Sequence, residues 1–230
     1  MIGVAFVLAG WLIGRVIYGY VHHFAFRLSQ EIHAAYVEIY PENPPHFAPE
    51  KSILTPIQTK ISQPYYCLFF ALLFALCYWL NEDILTAICW ACFCSLLFAI
   101  SVVDGYYRLI SPALCQCLFA LGLGAAYWQI TPLTLEQSLQ SAVIFFAVFS
   151  LIYYGAKGYY KQEAFGRGDC WLALGLGTFF SYEQLPAFLL LACLSGLVYA
   201  LYGKLNQRHL TAIPFGPFLC LSGVLCRLLN

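Results

Sequence analysis

Ile84-Leu-Thr-Ala-Ile-Cys-Trp-Ala-Cys-Phe-Cys-Ser-Leu-Leu-Phe-Ala-Ile-Ser-Val-Val-Asp104 is the stretch that decides the fold class. Twenty residues pass without a charge before Asp104 ends the run. Twenty is about the number that a helix needs to cross the hydrocarbon of a bilayer. In lipid every backbone amide must be bonded within its own segment, so the run reads as a helix.

Comparable runs fill the chain on both sides. Hydropathy places spans near 2–21, 65–80, 84–103, 109–128, 139–155, 170–181, 185–202 and 213–229. The sixth is short for a full crossing. Hydrophobic residues make up 62% of the 230 positions and charged residues 10%, against about 25% charged in a soluble domain. The expected fold is therefore all-α, a polytopic membrane bundle of about eight transmembrane helices. The segments are a first span at 1–21, a cytoplasmic loop at 22–64 and a membrane domain at 65–230. The first run ends in no small-residue cleavage site and reads as a retained span. The net charge is zero, which argues against a nucleic-acid partner.

Basic residues set the expected orientation. With the N-terminus outside, Arg27, Lys51, Lys60, Arg108, Lys157, Lys161, Arg167, Lys204 and Arg208 all fall on cytoplasmic segments, nine of the eleven Lys and Arg. The opposite loops carry Glu82, Asp83, Glu136 and Glu183. The positive-inside rule therefore favours an even number of spans with both termini outside.

The loop at 22–64 holds four of the five histidines and the prolines Pro41, Pro44, Pro45, Pro49, Pro56 and Pro64. Within it His33–Tyr40 reads as a short interfacial helix. His22, His23, His33 and His46 lack tight ligand spacing, and no cysteine joins them, so no metal site is assigned. The eleven cysteines of the chain lie almost entirely in apolar runs, where a thiol is a small packing group. Gly10 and Gly14 form a G-x-x-x-G suited to close helix packing. The string Ala-Leu-Gly-Leu-Gly at 120–124 and 173–177 reads as a packing solution used twice. Arg15, inside the first span, reads as a side chain that snorkels to the headgroups.

Acids near the membrane are costly and mark candidate sites. Asp104 ends the third span, and Asp169 opens the sixth in Phe165-Gly166-Arg167-Gly168-Asp169-Cys170. Two crossings separate them, so both are expected at the cytoplasmic face. Two adjacent carboxylates share a proton, and such a pair activates water while polarising a peptide carbonyl. Gly166 and Gly168 are expected to leave room for a substrate backbone. The same residues also admit a plainer reading, with Asp169 as a helix cap and Asp104 paired with Arg108 one turn on. If Asp169 heads a helix and Asp104 ends one, the helix dipoles make Asp169 the base and leave the proton on Asp104.

Gly166-Arg-Gly-Asp169, the upstream Asp104 and Ile213-Pro-Phe-Gly-Pro-Phe218 occur in an order that resembles the type IV prepilin peptidases, membrane aspartyl proteases with a G-x-G-D motif. The likeness covers most of 65–225, and Gly10-Trp-Leu-Ile-Gly14-Arg-Val-Ile-Tyr18 is similar to the family's first span. The resemblance implies an inner-membrane endopeptidase with Asp104 and Asp169 as its catalytic pair. It cuts the leader from prepilin or pseudopilin precursors of type IV pili or type II secretion at the cytoplasmic face. Proteolysis requires no cofactor, and S-adenosylmethionine enters only if the methylation common in the family is retained. The chain is similar to a shortened form, because 22–64 lacks the family's zinc-binding cysteines. Trp171 stands where the family usually has Lys, and Ile110-Ser111-Pro112 replaces Ile-Pro. Rival readings are a small proton-coupled transporter and a non-catalytic membrane scaffold of a pilus or secretion system.

Overall fold

The structure, a computed structural model, describes residues 1–42, 46–47, 54, 61–160, 166–206 and 213–229. Part of the predicted loop, with Pro44, Pro45, Pro49, Pro56, Lys51 and Lys60, lies outside the described residues, as do Lys161, Phe165 and Arg208. Among the described residues there are eight α-helices and no strand. They are α1 (Ile2–Ile39), α2 (Gln63–Leu80), α3 (Ile84–Tyr107), α4 (Pro112–Tyr127), α5 (Leu135–Tyr160), α6 (Arg167–Gly177), α7 (Leu185–Leu205) and α8 (Gly216–Leu229). Five of these, α1, α2, α3, α5 and the helix ending at Leu205, are long and apolar enough to cross a membrane, and α4 and α8 are shorter apolar helices. The chain is thus a multi-pass membrane protein.

Two differences from the sequence reading have simple causes. Helix α1 continues past Val21 to Ile39, because Gln30, Glu31 and Ala34–Ala35 favour helix as readily in water as the apolar run does in lipid. Helix α6 has only 11 residues, about 16 Å of length, and ends at Gly177 instead of reaching 181.

The chain divides into two compact units, Met1–Leu76 and Cys77–Asn230. In the first, α1 lies on α2 through its glycines. A Cβ on Gly10 would strike the carbonyl oxygen of Phe70, and one on Gly14 would lie 2.7 Å from Cys67 Cα. Backbone thus meets backbone, as G-x-x-x-G packing requires. Tyr18 stacks on His22 at 3.9 Å and meets Tyr66 edge-on.

The second unit is built around fully buried side chains from six helices: Phe93 and Ile100, Leu118, Phe145, Leu172, Phe188 and Leu219. Lipid supplies no hydrophobic drive between helices, so close packing and polar contacts hold them. The repeated glycine strings perform that packing. Gly122 of α4 faces Thr178, Gly175 of α6 faces Leu118 and the Cys115 carbonyl, and Gly177 lies against Ala142 and Phe145 of α5. Hydroxyls add interhelical bonds: Ser138 Oγ donates to the Thr178 carbonyl at 2.8 Å, and Ser222 Oγ to the Phe188 carbonyl at 2.6 Å. All eleven cysteines are free thiols.

Antiparallel succession sorts the polar residues of this unit by end. Arg108, Lys157, Arg167 and Lys204 lie at the end where α3, α5 and α7 finish and α4, α6 and α8 begin. Asp83, Glu136 and Glu183 lie at the other, where Asp83 caps α3 by accepting from the Thr86 N–H at 3.1 Å.

Candidate active site

Both predicted acids occur at the basic end of the second unit, and both are buried, each 5% exposed. Asp104 stands in the last turn of α3. The helix stops three residues later because Arg108 turns left-handed, at φ 55° and ψ 36°, and its N–H returns to the Asp104 carbonyl at 2.8 Å. A non-glycine residue in that region carries a cost of order 1–3 kcal/mol, so surrounding structure holds the turn that aims Asp104.

Asp169 is the third residue of α6. Its amide closes the first turn onto the Gly166 carbonyl at 3.2 Å. Tyr153 of α5 anchors this end: Arg167 Nε donates to its hydroxyl at 3.0 Å, and the Lys157 ammonium lies 5.8 Å from its ring centroid.

The two carboxylates come from remote segments and lie within electrostatic reach of one another. The thiol of Cys220 on α8 is within reach of both. Helix contacts explain the convergence. Helix α6 packs on α4, α5 and α8, and α8 packs on α3, so the end of α3 and the start of α6 are gathered around the start of α8.

Gly216 makes the decisive contact. Its backbone N–H donates to Asp104 Oδ2 at 3.0 Å. The first four N–H groups of any helix lack partners within it, and here a carboxylate from another helix accepts one of them. Charge at this position is also favoured by the positive end of the α8 dipole. A Cβ on Gly216 would lie 2.6 Å from that same oxygen, so a glycine is what admits the approach.

Nothing in Ile213–Phe218 as a sequence discloses this task. The helix start itself was signalled, since Gly216-Pro217 stands ahead of an apolar run, but no sequence rule says which side chain meets that start. Asp169 stands in the first turn of α6 as expected, but the contact offsets the other ground for leaving the proton on Asp104. The dipole of α3 disfavours charge there, while the dipole of α8 and the Gly216 N–H favour it.

Asp169 presents the complementary situation. Its Oδ1 is buried with no hydrogen-bond partner among the described residues. An unsatisfied buried oxygen of this kind costs about 1–3 kcal/mol, which is the signature of an atom that awaits a proton, a water or a substrate.

The two glycines separate in role. Gly166 is exposed and has ordinary extended backbone angles, φ −80° and ψ 138°; a Cβ there would lie 3.1 Å from Asp169 Oδ2. Its value is room beside the carboxylate rather than an unusual conformation. At Gly168 the space is already filled, since a Cβ would lie 2.8 Å from Ile110 Cβ. Ile110 belongs to the connection between α3 and α4, so Gly168 lets the start of α6 close on that connection.

The histidines form a different picture. His22 and His23 each donate from Nδ1 to a carbonyl one turn back, of Tyr18 at 3.0 Å and Gly19 at 2.9 Å. No three His, Cys, Asp or Glu side chains among the described residues are grouped to hold a metal ion. With no cysteine at 22–64, the chain has no thiolate set there to bind zinc.

The sequence model of the type IV leader peptidase family matches residues 91–201, a stretch that contains both acids. A prepilin leader peptidase/N-methyltransferase of Haemophilus influenzae is 38% identical over 98% of this chain and 96% of its own length. A type 4 prepilin-like proteins leader peptide-processing enzyme of Escherichia coli O78:H11 is 34% identical over 56% of this chain and 46% of its own. A prepilin leader peptidase/N-methyltransferase of Escherichia coli K12 is 34% identical over 58% and 59%. No solved structure matches the chain. Similarity along nearly the whole of one relative, with the acids inside the matched region, leads to one conclusion: the chain belongs to the type IV leader peptidase family.

Proposed function

We propose that this protein removes the leader from prepilin-like precursors by water-mediated hydrolysis between Asp104 and Asp169. The observation that carries the reading is the pairing of a fixed carboxylate with one whose Oδ1 is left unsatisfied. Asp104 is clamped by the Gly216 N–H, and Asp169 Oδ1 has no hydrogen-bond partner among the described residues. Asp104 takes a proton from water, while Asp169, carrying the proton on Oδ1, donates a hydrogen bond to the scissile carbonyl. Water oxygen bonds to the carbonyl carbon, the peptide C–N bond breaks, and the proton held by Asp104 passes to the leaving amine. Burial strengthens both interactions by excluding bulk water. Gly166 provides the open side at which substrate backbone reaches Asp169.

The same reading sets the protein in the bacterial inner membrane with the basic end of the second unit in the cytoplasm. Arg108, Lys157, Arg167 and Lys204 support this by the positive-inside rule. A precursor whose basic leader stays in the cytoplasm, ahead of an apolar helix in the bilayer, brings its cleavage point to that level. Hydrolysis consumes only water and needs no cofactor. Methylation of the new N-terminus, which would consume S-adenosylmethionine, is a separate activity that the same experiment reads.

The test is incubation of purified protein with a prepilin, followed by mass measurement. Loss of the leader with wild type, and not with Asp104→Asn or Asp169→Asn, supports the proposal. An intact precursor with correctly inserted wild-type protein overturns it.

A further inference from the structure

Helix α1 carries two opposite faces. One, with Phe6, Gly10, Gly14, Ile17, Val21 and Phe24, is buried. On the other, Arg15, Gly19, His23 and Arg27 follow one another at four-residue spacing, and with Phe26 and Gln30 they line a cleft of about 550 Å³. Every residue of that lining lies within about 140° of the helix circumference, at 3.6 residues per turn.

The chemistry of the cleft has one sign. Arg15 and Arg27 bring guanidinium groups, His23 an imidazole, and no carboxylate is among the described residues that line it. Both arginines are exposed, and neither has a hydrogen-bond or ion-pair partner among the described residues. His23 is oriented as well. Its Nδ1 donates to the Gly19 carbonyl, which leaves Nε2 facing outward.

Depth determines what can meet these groups. The 38 residues of α1 extend about 57 Å, and the hydrocarbon core is only about 30 Å thick. If the apolar stretch from Ile2 to Val21 crosses, Arg15 lies within the acyl region and His23 and Arg27 lie beyond it. The cleft then straddles the level of the lipid phosphates. An arginine inside a span is expensive unless it reaches a counter-charge, and here its neighbours along the helix are two more basic groups. Val16 and Phe26 add apolar surface for the glycerol and acyl parts of a ligand.

We propose that this cleft is a binding site for an anionic phospholipid, with the headgroup phosphate held by Arg15, His23 and Arg27. The described lining comes from α1 and shares no residue with the aspartate pair, so the site stands or falls separately from the peptidase reading.

The test uses the full chain in neutral detergent, with bound lipid counted by native mass spectrometry after exposure to equal phosphatidylglycerol and phosphatidylcholine. Wild type is expected to retain phosphatidylglycerol preferentially. A basic side chain at the membrane surface contributes about fivefold, so Arg15→Gln with Arg27→Gln is expected to lower the preference about 30-fold. Lys204→Gln, which removes a charge elsewhere, is expected to leave it intact. Equal retention of the two lipids by wild type overturns the site, as does an unchanged preference in the double variant. Displacement of phosphatidylglycerol by inorganic phosphate at equal concentration overturns the lipid as its ligand. Where the double variant is poorly inserted, His23→Gln alone decides, with the proposal rejected if the preference does not fall.

Discussion

The backbone N–H of Gly216 meets Asp104 Oδ2 at 3.0 Å across 112 residues of chain. An alanine at 216 keeps the N–H but places a Cβ 2.6 Å from that oxygen, so carboxylate and helix start must separate. We expect Gly216→Ala to lower kcat about 100-fold, the scale of a 1 Å misplacement of a catalytic group, with KM little changed. Steady-state cleavage of a prepilin measures this, and near wild-type kcat would show that Asp104 needs no clamp.

Removing either acid should be at least as severe. Asp104→Asn and Asp169→Asn each eliminate one half of the proton exchange, a loss of about 100- to 10,000-fold. Wild-type rate against pH should be bell-shaped, because a pair that shares one proton is inactive both when it holds two and when it holds none. A rate that only rises, or only falls, across the accessible range would contradict a shared proton.

Gly168 offers a test that separates packing from substrate access. Gly168→Ala should impair cleavage, because its Cβ would lie 2.8 Å from Ile110 Cβ. Ile110→Gly in the same chain removes that obstacle and should restore much of the rate. Failure of the rescue would mean that the space at 168 serves the substrate instead.

In the first unit, Gly14→Ala places a methyl 2.7 Å from Cys67 Cα and the Tyr66 carbonyl oxygen. Backbone cannot yield as a side chain does, so the cost should be about 1–3 kcal/mol. Gly19→Ala, on the same helix with nothing within 4 Å, should be neutral or slightly stabilising. Thermal unfolding of both variants in detergent decides the matter, and equal melting points would argue against the close approach of α1 to α2.

Much of the fold was legible in the sequence for one physical reason. In lipid a run of apolar residues has no option but helix, so the run over 84–103 announced α3 without any knowledge of its neighbours. The glycine pair at 10 and 14 likewise announced a close contact, though not that Phe70 and Cys67 would receive it. Helix ends were less legible. Continuation of α1 to Ile39 and the stop of α6 at Gly177 depend on local competition among helix, turn and solvent, which hydropathy does not measure.

For the site, the amino-acid order by itself determined that Asp104 and Asp169 fall on one side of the bundle, because an even number of crossings returns a chain to the same face. Only the tertiary structure decided what each carboxylate meets. The start of α8 is delivered to Asp104 by packing of α8 on α3, and Ile110 fills the space at Gly168 through closure of α6 on the α3–α4 connection. Such contacts join residues far apart in sequence, and their geometry is set by how six helices fill space together, which no local pattern encodes.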